Sequence, residues 1–199
     1  MVFFSDNGGK SPETDMLPLR GSKGMLYEGG IRVPMIVRWP GVVPRDSASA
    51  QPVLSMDLYP TLVKAAGGTL PTSPIDGVDL GPLLRNPDAD LGRDAIFWHF
   101  PAYLNGYRGM ADEGYRPGWR ATPSSALRAG DWKLIEYFED GTCQLFNLAE
   151  DPGEQYDLSK ENPKKKAELL ERLRTWQKSV GAPTQFEKNP GYRPLPQER

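Results

Sequence analysis

Short apolar runs and turn residues alternate through the first part of the chain. The run 2–4 leads into a polar stretch, which predicts a buried strand ending in a loop. The run 31–37 predicts a second strand, and Pro34 within it is typical of a sheet edge or bulge. Residues 1–84 therefore resemble the end of an α/β sheet.

A helix is predicted after these two strands. Ser55 is placed to cap it, Asp57 lies in its first turn, and Gly67 follows its last turn. Its apolar positions recur at helical spacing and are expected to face the core. They are Leu58, Leu62, Val63 and Ala66.

The rest of the chain, 85–199, shows a different pattern. Strands are predicted at 95–100 and 125–128, and a hairpin at 132–148 turns at Asp140-Gly141. Pro101 to Pro123 is predicted to form a long loop. Together these elements indicate a small antiparallel four-stranded sheet.

A C-terminal helix is expected to cover that sheet. Asn162 and Pro163 would begin the helix, Gly181 would end it, and Glu168 and Arg172 would pair at i,i+4. Four residues form the predicted buried stripe. They are Leu169, Leu173, Trp176 and Val180.

Composition narrows the functional classes. The chain has 199 residues, of which 38% are hydrophobic and 25% charged, as in globular proteins. A net charge of −2 provides no broad basic field for nucleic acid, and no apolar stretch approaches the ~20 residues of a membrane span. The lone Cys143 cannot form an internal disulfide and is interpreted as an ordinary strand residue.

The first strand also bears on the extent of the protein. A buried strand needs neighbours, and nothing precedes the run that follows Met1. We therefore expect Met1 to be an internal methionine or a late start. No signal peptide opens this chain.

Asp6 and Asn7 are the first candidates for chemistry. They follow a predicted strand of an α/β sheet, where ligands are commonly bound. Their side-chain oxygens suit calcium, but two ligands are too few for an ion that takes about 6–8. An Asx turn explains the same residues without a metal.

Lys23 and His99 are the next candidates. Lys23 stands between glycines, so its ammonium could approach an anionic ester closely, although a solvated loop lysine is the simpler interpretation. His99 lies in an aromatic strand, where it could bond a sugar hydroxyl or a leaving-group oxygen. A packed core histidine is the alternative.

An aromatic and basic loop is the last candidate. Aromatic faces beside arginine forks suit an acidic sugar or aryl ligand, and a packed surface loop explains them equally well. The residues are Tyr103, Tyr107, Tyr115 and Trp119 with Arg108, Arg116 and Arg120.

Several stretches, taken in order, resemble the sulfatase family of the alkaline phosphatase superfamily, in its C-terminal portion. In the first part these are FFSDNGG at 3–9, PLRGSKG at 18–24, YEGGIRVP at 27–34 and WPG at 39–41. DLYPTL at 57–62 and DGVDL at 76–80 continue the similarity, and FWH, ALRAGDWKL, LFNL and DPGE follow in the second part.

This resemblance implies roles for individual residues. Asp6 and Asn7 would be two calcium ligands, and Lys23 would contact the sulfate. The family's nucleophile is a formylglycine made in a Cys/Ser-x-Pro-x-Arg motif, which is absent here. The nucleophile and the other acidic ligands are therefore expected N-terminal to this chain, which alone should be inactive.

The resemblance also implies a substrate and a location. Sulfate esters of aryl alcohols or carbohydrates are expected as substrates, and a periplasmic or extracellular location is typical of the family. The oligomeric state is not indicated. Two alternatives stay open, namely a non-catalytic remnant or sugar-binding module, and a phosphoester hydrolase of the same superfamily.

Overall fold

The computed structural model describes residues 1–105, 114–185 and 191. Its first part contains a two-stranded antiparallel sheet, β1 (Val2–Phe4) with β2 (Met35–Val37), in which Phe3 lies opposite Ile36. A short helix, α1 (Glu28–Ile31), precedes β2. Further along are α2 (Leu58–Ala65), introduced by a 3-10 turn at Ser55–Asp57, and α3 (Gly81–Arg85).

Two expectations for the first sheet were wrong. The second strand begins only after Pro34, because Ile31 belongs to α1, whose last turn is closed by a hydrogen bond from the Arg32 N–H to the Glu28 carbonyl at 2.7 Å. The first strand is not buried within this chain either. Phe3 is 60% exposed, since among the described residues β1 pairs with β2 alone.

Helix α2 forms where predicted but buries a different face. Asp57, Pro60 and Thr61 are buried, whereas the predicted core residue Leu62 is 56% exposed and Ala66 is exposed. The polar residues Asp57 and Thr61 can be buried there because hydrogen bonds satisfy them. Ser55 makes no cap, and the Asp57 carboxylate instead accepts the Leu54 N–H.

The second part confirms the antiparallel four-stranded sheet. Its strands are β3 (Ile96–Phe100), β6 (Ser124–Ala129), β7 (Trp132–Tyr137) and β8 (Cys143–Asn147), in the order β3-β6-β7-β8. The predicted hairpin joins β7 and β8. The region predicted as a plain loop contains a short two-stranded ribbon, β4 (Leu104–Asn105) with β5 (Trp119–Ala121).

Helix α4 (Pro163–Ser179) covers one face of this sheet. Leu169 and Leu173 pack against leucines of three strands, and Trp176 stacks on Phe97 with ring centroids 4.8 Å apart. Val180 was predicted in this stripe but is 56% exposed, and Gln177 is buried there instead. Its amide reaches the Glu136 carboxylate across the interface.

The predicted i,i+4 pair on α4 was also wrong. Glu168 forms its ion pair with Lys165 at 2.6 Å, while Arg172 turns towards Asp94 at 3.0 Å. An exposed lysine one turn earlier competes successfully because such surface pairs differ little in energy.

The opposite face of the sheet packs on the first part of the chain. Met25 and Tyr27 lie in one buried cluster with side chains from β6, β7, β8 and the residue after β8, which are Ala126, Ile135, Tyr137, Phe146 and Leu148. The predicted boundary at 84/85 falls inside α3, and the division of the chain into domains 1–84 and 85–199 stays a prediction. No described helix is long and apolar enough to cross a membrane.

Candidate functional site

Two segments that the sequence separates meet at one corner. We call residues 6–9 the metal turn, after the role that the family resemblance predicts for Asp6 and Asn7, and residues 21–24 the lysine loop. The Lys23 N–H donates to the Gly9 carbonyl at 2.8 Å, and the Gly8 N–H donates to the Gly30 carbonyl at 3.0 Å. These backbone bonds place Lys23 beside the turn that carries Asp6 and Asn7.

Glycine at position 8 is required for this approach. A Cβ on Gly8 would lie 1.8 Å from the Gly29 carbonyl oxygen, well inside contact distance. A Cβ on Gly30 would similarly lie 2.2 Å from the Met25 carbonyl oxygen. The glycines therefore serve close backbone packing between the metal turn, the lysine loop and α1.

The polar side chains of the corner point outwards. Asp6 and Lys23 are exposed and Asn7 is half-buried, and within the described residues no ion pair engages the Asp6 carboxylate or the Lys23 ammonium. Asp6 and Asn7 offer hard oxygen ligands, which fit part of a calcium shell. The described residues contain no group of three or more His, Cys, Asp or Glu that could complete it.

A buried ion cluster lies behind the lysine loop. The Lys133 ammonium of β7 is fully buried and contacts Glu28 at 2.9 Å and Glu154 at 2.8 Å. The Glu154 carboxylate also accepts the Glu28 N–H at 2.5 Å. Because Glu28 begins α1, this cluster anchors the lysine loop and the metal turn to the four-stranded sheet.

Glu154 holds its place against local strain. Its φ of +52° lies in the left-handed region, which costs a non-glycine residue about 1–3 kcal/mol. Burial raises the pKa of the Glu154 carboxyl, and the attraction of Lys133 opposes that shift. The ion pair with Lys133 offsets these costs.

Tyrosine hydrogen bonds beside the buried ion cluster also join the first part of the chain to the four-stranded sheet. The Tyr27 hydroxyl donates to Gln144 at 2.7 Å, and the Tyr137 hydroxyl bonds to Tyr27 at 3.0 Å. The Arg20 guanidinium lies 4.0 Å from the Tyr27 ring centroid and donates to the Glu154 carbonyl. Burial raises the pKa of both tyrosines, so they remain neutral hydrogen-bonding groups.

Sequence analysis assigned no role to Lys133, Glu28 or Glu154. The available signal was the position of Lys133, which lies on the same face of β7 as the core residues Ile135 and Tyr137, because every second residue of a strand points to the same side. A lysine at an inward position needs a buried partner. The sequence did not indicate which carboxylates would supply it.

His99 is not brought to this corner. It shares the α4 face of the sheet with Phe97, whereas Trp98 packs on the face that covers the lysine loop. Its Nδ1 lies 2.7 Å from the Ser125 hydroxyl, and burial lowers the pKa of the imidazole. The geometry favours a packed, neutral histidine.

The aromatic and basic loop is divided between two environments. Tyr107 and Arg108 lie outside the described residues. Arg116 pairs with Glu139 and Asp140 beyond β7, and Tyr115 stacks on Tyr137. Tyr103 and Trp119, which also belong to this predicted loop, pack against each other with ring centroids 5.1 Å apart. This part of the loop is therefore a packed surface.

This chain is similar to known proteins over most of its length. The family described as "N-sulphoglucosamine sulphohydrolase, C-terminal" matches residues 22–179. A sulfatase from Formosa agariphila is 35% identical over 92% of the chain, and human arylsulfatase A is 30% identical over 79%. The chain spans about a third of these relatives, 34% and 33% of their lengths.

Solved structures also resemble this chain in fold. The crystal structure of Ps i-CgsB in complex with k-i-k-neocarrahexaose superposes with a TM-score of 0.69 and 30% identity, covering 88% of this chain and 35% of that one. The structure of BT4656 in complex with its substrate D-glucosamine-2-N,6-O-disulfate superposes with a TM-score of 0.63 and 27% identity. The match covers 82% of this chain and 32% of that one.

The mixed α/β fold with its antiparallel sheet and C-terminal helix is that of the C-terminal portion of alkaline-phosphatase-like proteins. The chain belongs to the sulfatase family and corresponds to its C-terminal portion.

Proposed function

We propose that this chain is the C-terminal part of a sulfatase that hydrolyses sulfate esters of carbohydrates or aryl alcohols. In this proposal Asp6 and Asn7 are two calcium ligands and Lys23 contacts the sulfate. The nucleophile, a formylglycine, and the remaining ligands belong to the part of the enzyme that this chain does not contain. The chain alone is therefore expected to be inactive.

One observation carries the proposal. The hydrogen bond from the Lys23 N–H to the Gly9 carbonyl joins a lysine to a turn with two oxygen ligands. A lysine ammonium acts on an anionic ester as a point charge. A divalent ion held by Asp6 and Asn7 would supply Lewis-acid stabilisation of the negatively charged oxygens.

The residues of this chain have distinct tasks in the proposed reaction. Lys23 would bind a sulfate oxygen and stabilise the charge that develops there in the transition state. Asp6 and Asn7 would hold the metal in register with that oxygen. Glu28, Lys133 and Glu154 keep the two segments at a constant separation without touching substrate.

Activity measurements on the complete enzyme test these roles. Lys23→Ala should lower kcat/KM for 4-nitrophenyl sulfate about 10²–10³-fold, as expected when one stabilising group is removed. Lys10→Ala is the matched control, because Lys10 is an exposed loop lysine paired with Glu13. Equal activity of Lys23→Ala and Lys10→Ala would contradict the proposed role.

Metal dependence provides a second test. Chelation should abolish activity, calcium should restore it, and Asp6→Ala should raise the calcium concentration needed for half-maximal activity. An enzyme that is indifferent to chelators and to Asp6→Ala would exclude this site.

Substrate class is tested by a direct comparison. Lysine with a divalent cation also suits phosphate, so hydrolysis of 4-nitrophenyl phosphate is measured beside the sulfate. Much faster turnover of the phosphate would favour a phosphoester hydrolase, and no turnover of either ester a non-catalytic module. A periplasmic or extracellular location is proposed with the function, to be checked by cell fractionation.

A further inference from the structure

The thioether of Met16 lies against the metal turn. The Gly9 N–H donates to Met16 Sδ at 3.2 Å, a hydrogen bond from the backbone to a weak sulfur acceptor. A Cβ on Gly9 would lie 2.7 Å from the same sulfur and 2.5 Å from Thr14 Cγ2. The side chains of Met16 and Thr14 therefore fill the space on one side of Gly9.

Gly9 connects Met16 with the lysine loop. The Gly9 N–H is held by the Met16 sulfur, and the Gly9 carbonyl accepts the Lys23 N–H at 2.8 Å. Both backbone polar groups of this one residue are thus engaged, one with Met16 and the other with Lys23. A movement of the Met16 thioether would therefore change how the metal turn meets the lysine loop.

Met16 also lies in a surface segment. Its side chain is half-buried, and its neighbours Asp15 and Leu17 are exposed, Leu17 by 81%. A small oxidant such as hydrogen peroxide can approach a sulfur in such a segment, because the oxidation of sulfur side chains follows their exposure. Met25, by contrast, is only 2% exposed within the core, and Met56 is 46% exposed in the turn before α2.

We infer that Met16 is an oxidation-sensitive modification site, and that conversion of its thioether to the sulfoxide weakens calcium binding at the metal turn. This inference rests on the proposed function and adds a means of regulation to the same site. In the reaction one oxygen of hydrogen peroxide forms a bond to Sδ while the O–O bond breaks, and the other oxygen leaves as water. Sulfur is thereby oxidised and the peroxide reduced.

The sulfoxide alters both the size and the polarity of the group that contacts Gly9. The sulfur already lies at hydrogen-bond distance from the Gly9 nitrogen, so an added oxygen must displace either the Met16 side chain or the Gly9 backbone. The greater polarity of the sulfoxide favours movement towards water. Either movement removes the contact that fixes Gly9, and with it the metal turn, relative to Lys23.

Peroxide treatment of the complete enzyme tests this inference. Peptide mapping by mass spectrometry identifies the methionines that gain oxygen, and isothermal titration measures calcium affinity before and after treatment. Oxidation of Met16 should weaken calcium binding about tenfold, the lower end of what loss of an outer contact costs at a metal site. Treatment with a thiol-dependent methionine sulfoxide reductase should restore the affinity.

Three variants assign the effect to one residue. Met16→Leu retains an apolar side chain of similar volume without an oxidisable sulfur, so peroxide should change its calcium affinity less than about twofold. Met16→Gln carries a polar side chain, as the sulfoxide does, and should bind calcium weakly without any treatment. Met56→Leu is the control and should lose affinity with peroxide as the wild type does. Melting temperatures establish that all three variants fold.

Three results would overturn the inference. They are an oxidised Met16 with unchanged calcium affinity, equal peroxide sensitivity of Met16→Leu and the wild type, and a Met16 that stays unmodified while Met56 is oxidised. An untreated enzyme that binds calcium but hydrolyses no sulfate ester would reject the proposed reaction alone. An untreated enzyme that binds no calcium would reject the proposed metal site and this inference with it.

Discussion

Lys133 Nζ lies 2.8 Å from Glu154 Oε1, and both side chains are completely buried. A second carboxylate, Glu28, lies 2.9 Å from the same ammonium. Together they connect β7, the turn after β8 and the start of α1. The C-terminal sheet thereby determines where the metal turn and the lysine loop lie.

Removal of the buried ammonium should be costly. Lys133→Met removes the ammonium that two buried carboxylates share, although Glu28 keeps longer contacts with Arg32 at 3.7 Å and Arg128 at 3.9 Å. The variant should lower the free energy of unfolding by about 3–5 kcal/mol, measured by urea denaturation. Lys165→Met, which breaks only the exposed pair with Glu168, should cost less than about 0.5 kcal/mol. A loss below about 1 kcal/mol for Lys133→Met would show that the cluster is not a major anchor.

Asp57 should be a second sensitive position. Its fully buried carboxylate accepts N–H groups of Leu54 and Val78 and pairs with Arg93. Asp57→Ala leaves these donors without an acceptor and should lower the free energy of unfolding by about 3–5 kcal/mol in the same measurement. Asp94→Ala removes only an exposed carboxylate, 91% accessible, and should cost less than about 1 kcal/mol. Similar losses for both variants would contradict this interpretation.

Gly8→Ala tests the close packing of the metal turn. The added Cβ would meet the Gly29 carbonyl oxygen at 1.8 Å, so the turn must move away from the lysine loop. In the complete enzyme we expect loss of both stability and calcium affinity. Gly41→Ala is the control, because it meets no atom within 4 Å and adds only the strain of its φ of +81°, about 1–2 kcal/mol. Unchanged calcium affinity in Gly8→Ala would count against the proposed site.

His99 should make the fold acid-sensitive. Burial lowers its folded-state pKa below the ordinary value of 6.5, so below that pH the unfolded chain binds more protons than the folded one. Stability should therefore fall as pH decreases from 6.5 towards the lowered folded-state pKa. Thermal denaturation between pH 8 and pH 5 measures this fall, and His99→Gln should flatten it. An equal slope in both proteins would assign the effect to carboxyl groups.

Cys143 should react slowly with alkylating reagents. Burial raises the pKa of its thiol to about 11, so little thiolate exists at pH 8. Iodoacetamide should modify the folded chain far more slowly than the same chain in 8 M urea. Equal rates would show that the strand end opens readily.

Local patterns predicted much of this fold and part of the candidate site. The hairpin around Asp140-Gly141 and the helix from Pro163 are confirmed, because turn residues and helical periodicity act over a few positions. The exposed face of α2 was assigned to the core, since periodicity identifies an apolar stripe but not the surface that covers it. The β4–β5 ribbon was missed because its strands have two and three residues.

The sequence by itself determined the hairpin around Asp140-Gly141 and the helix from Pro163, and it supplied the candidates Asp6, Asn7 and Lys23. Only the tertiary structure decided which polar groups are buried together and that His99 lies on the other face of the sheet. The reason is physical. Periodicity and turn chemistry act within a few residues, whereas Glu28 and Lys133 are 105 positions apart and meet only when the sheet is packed.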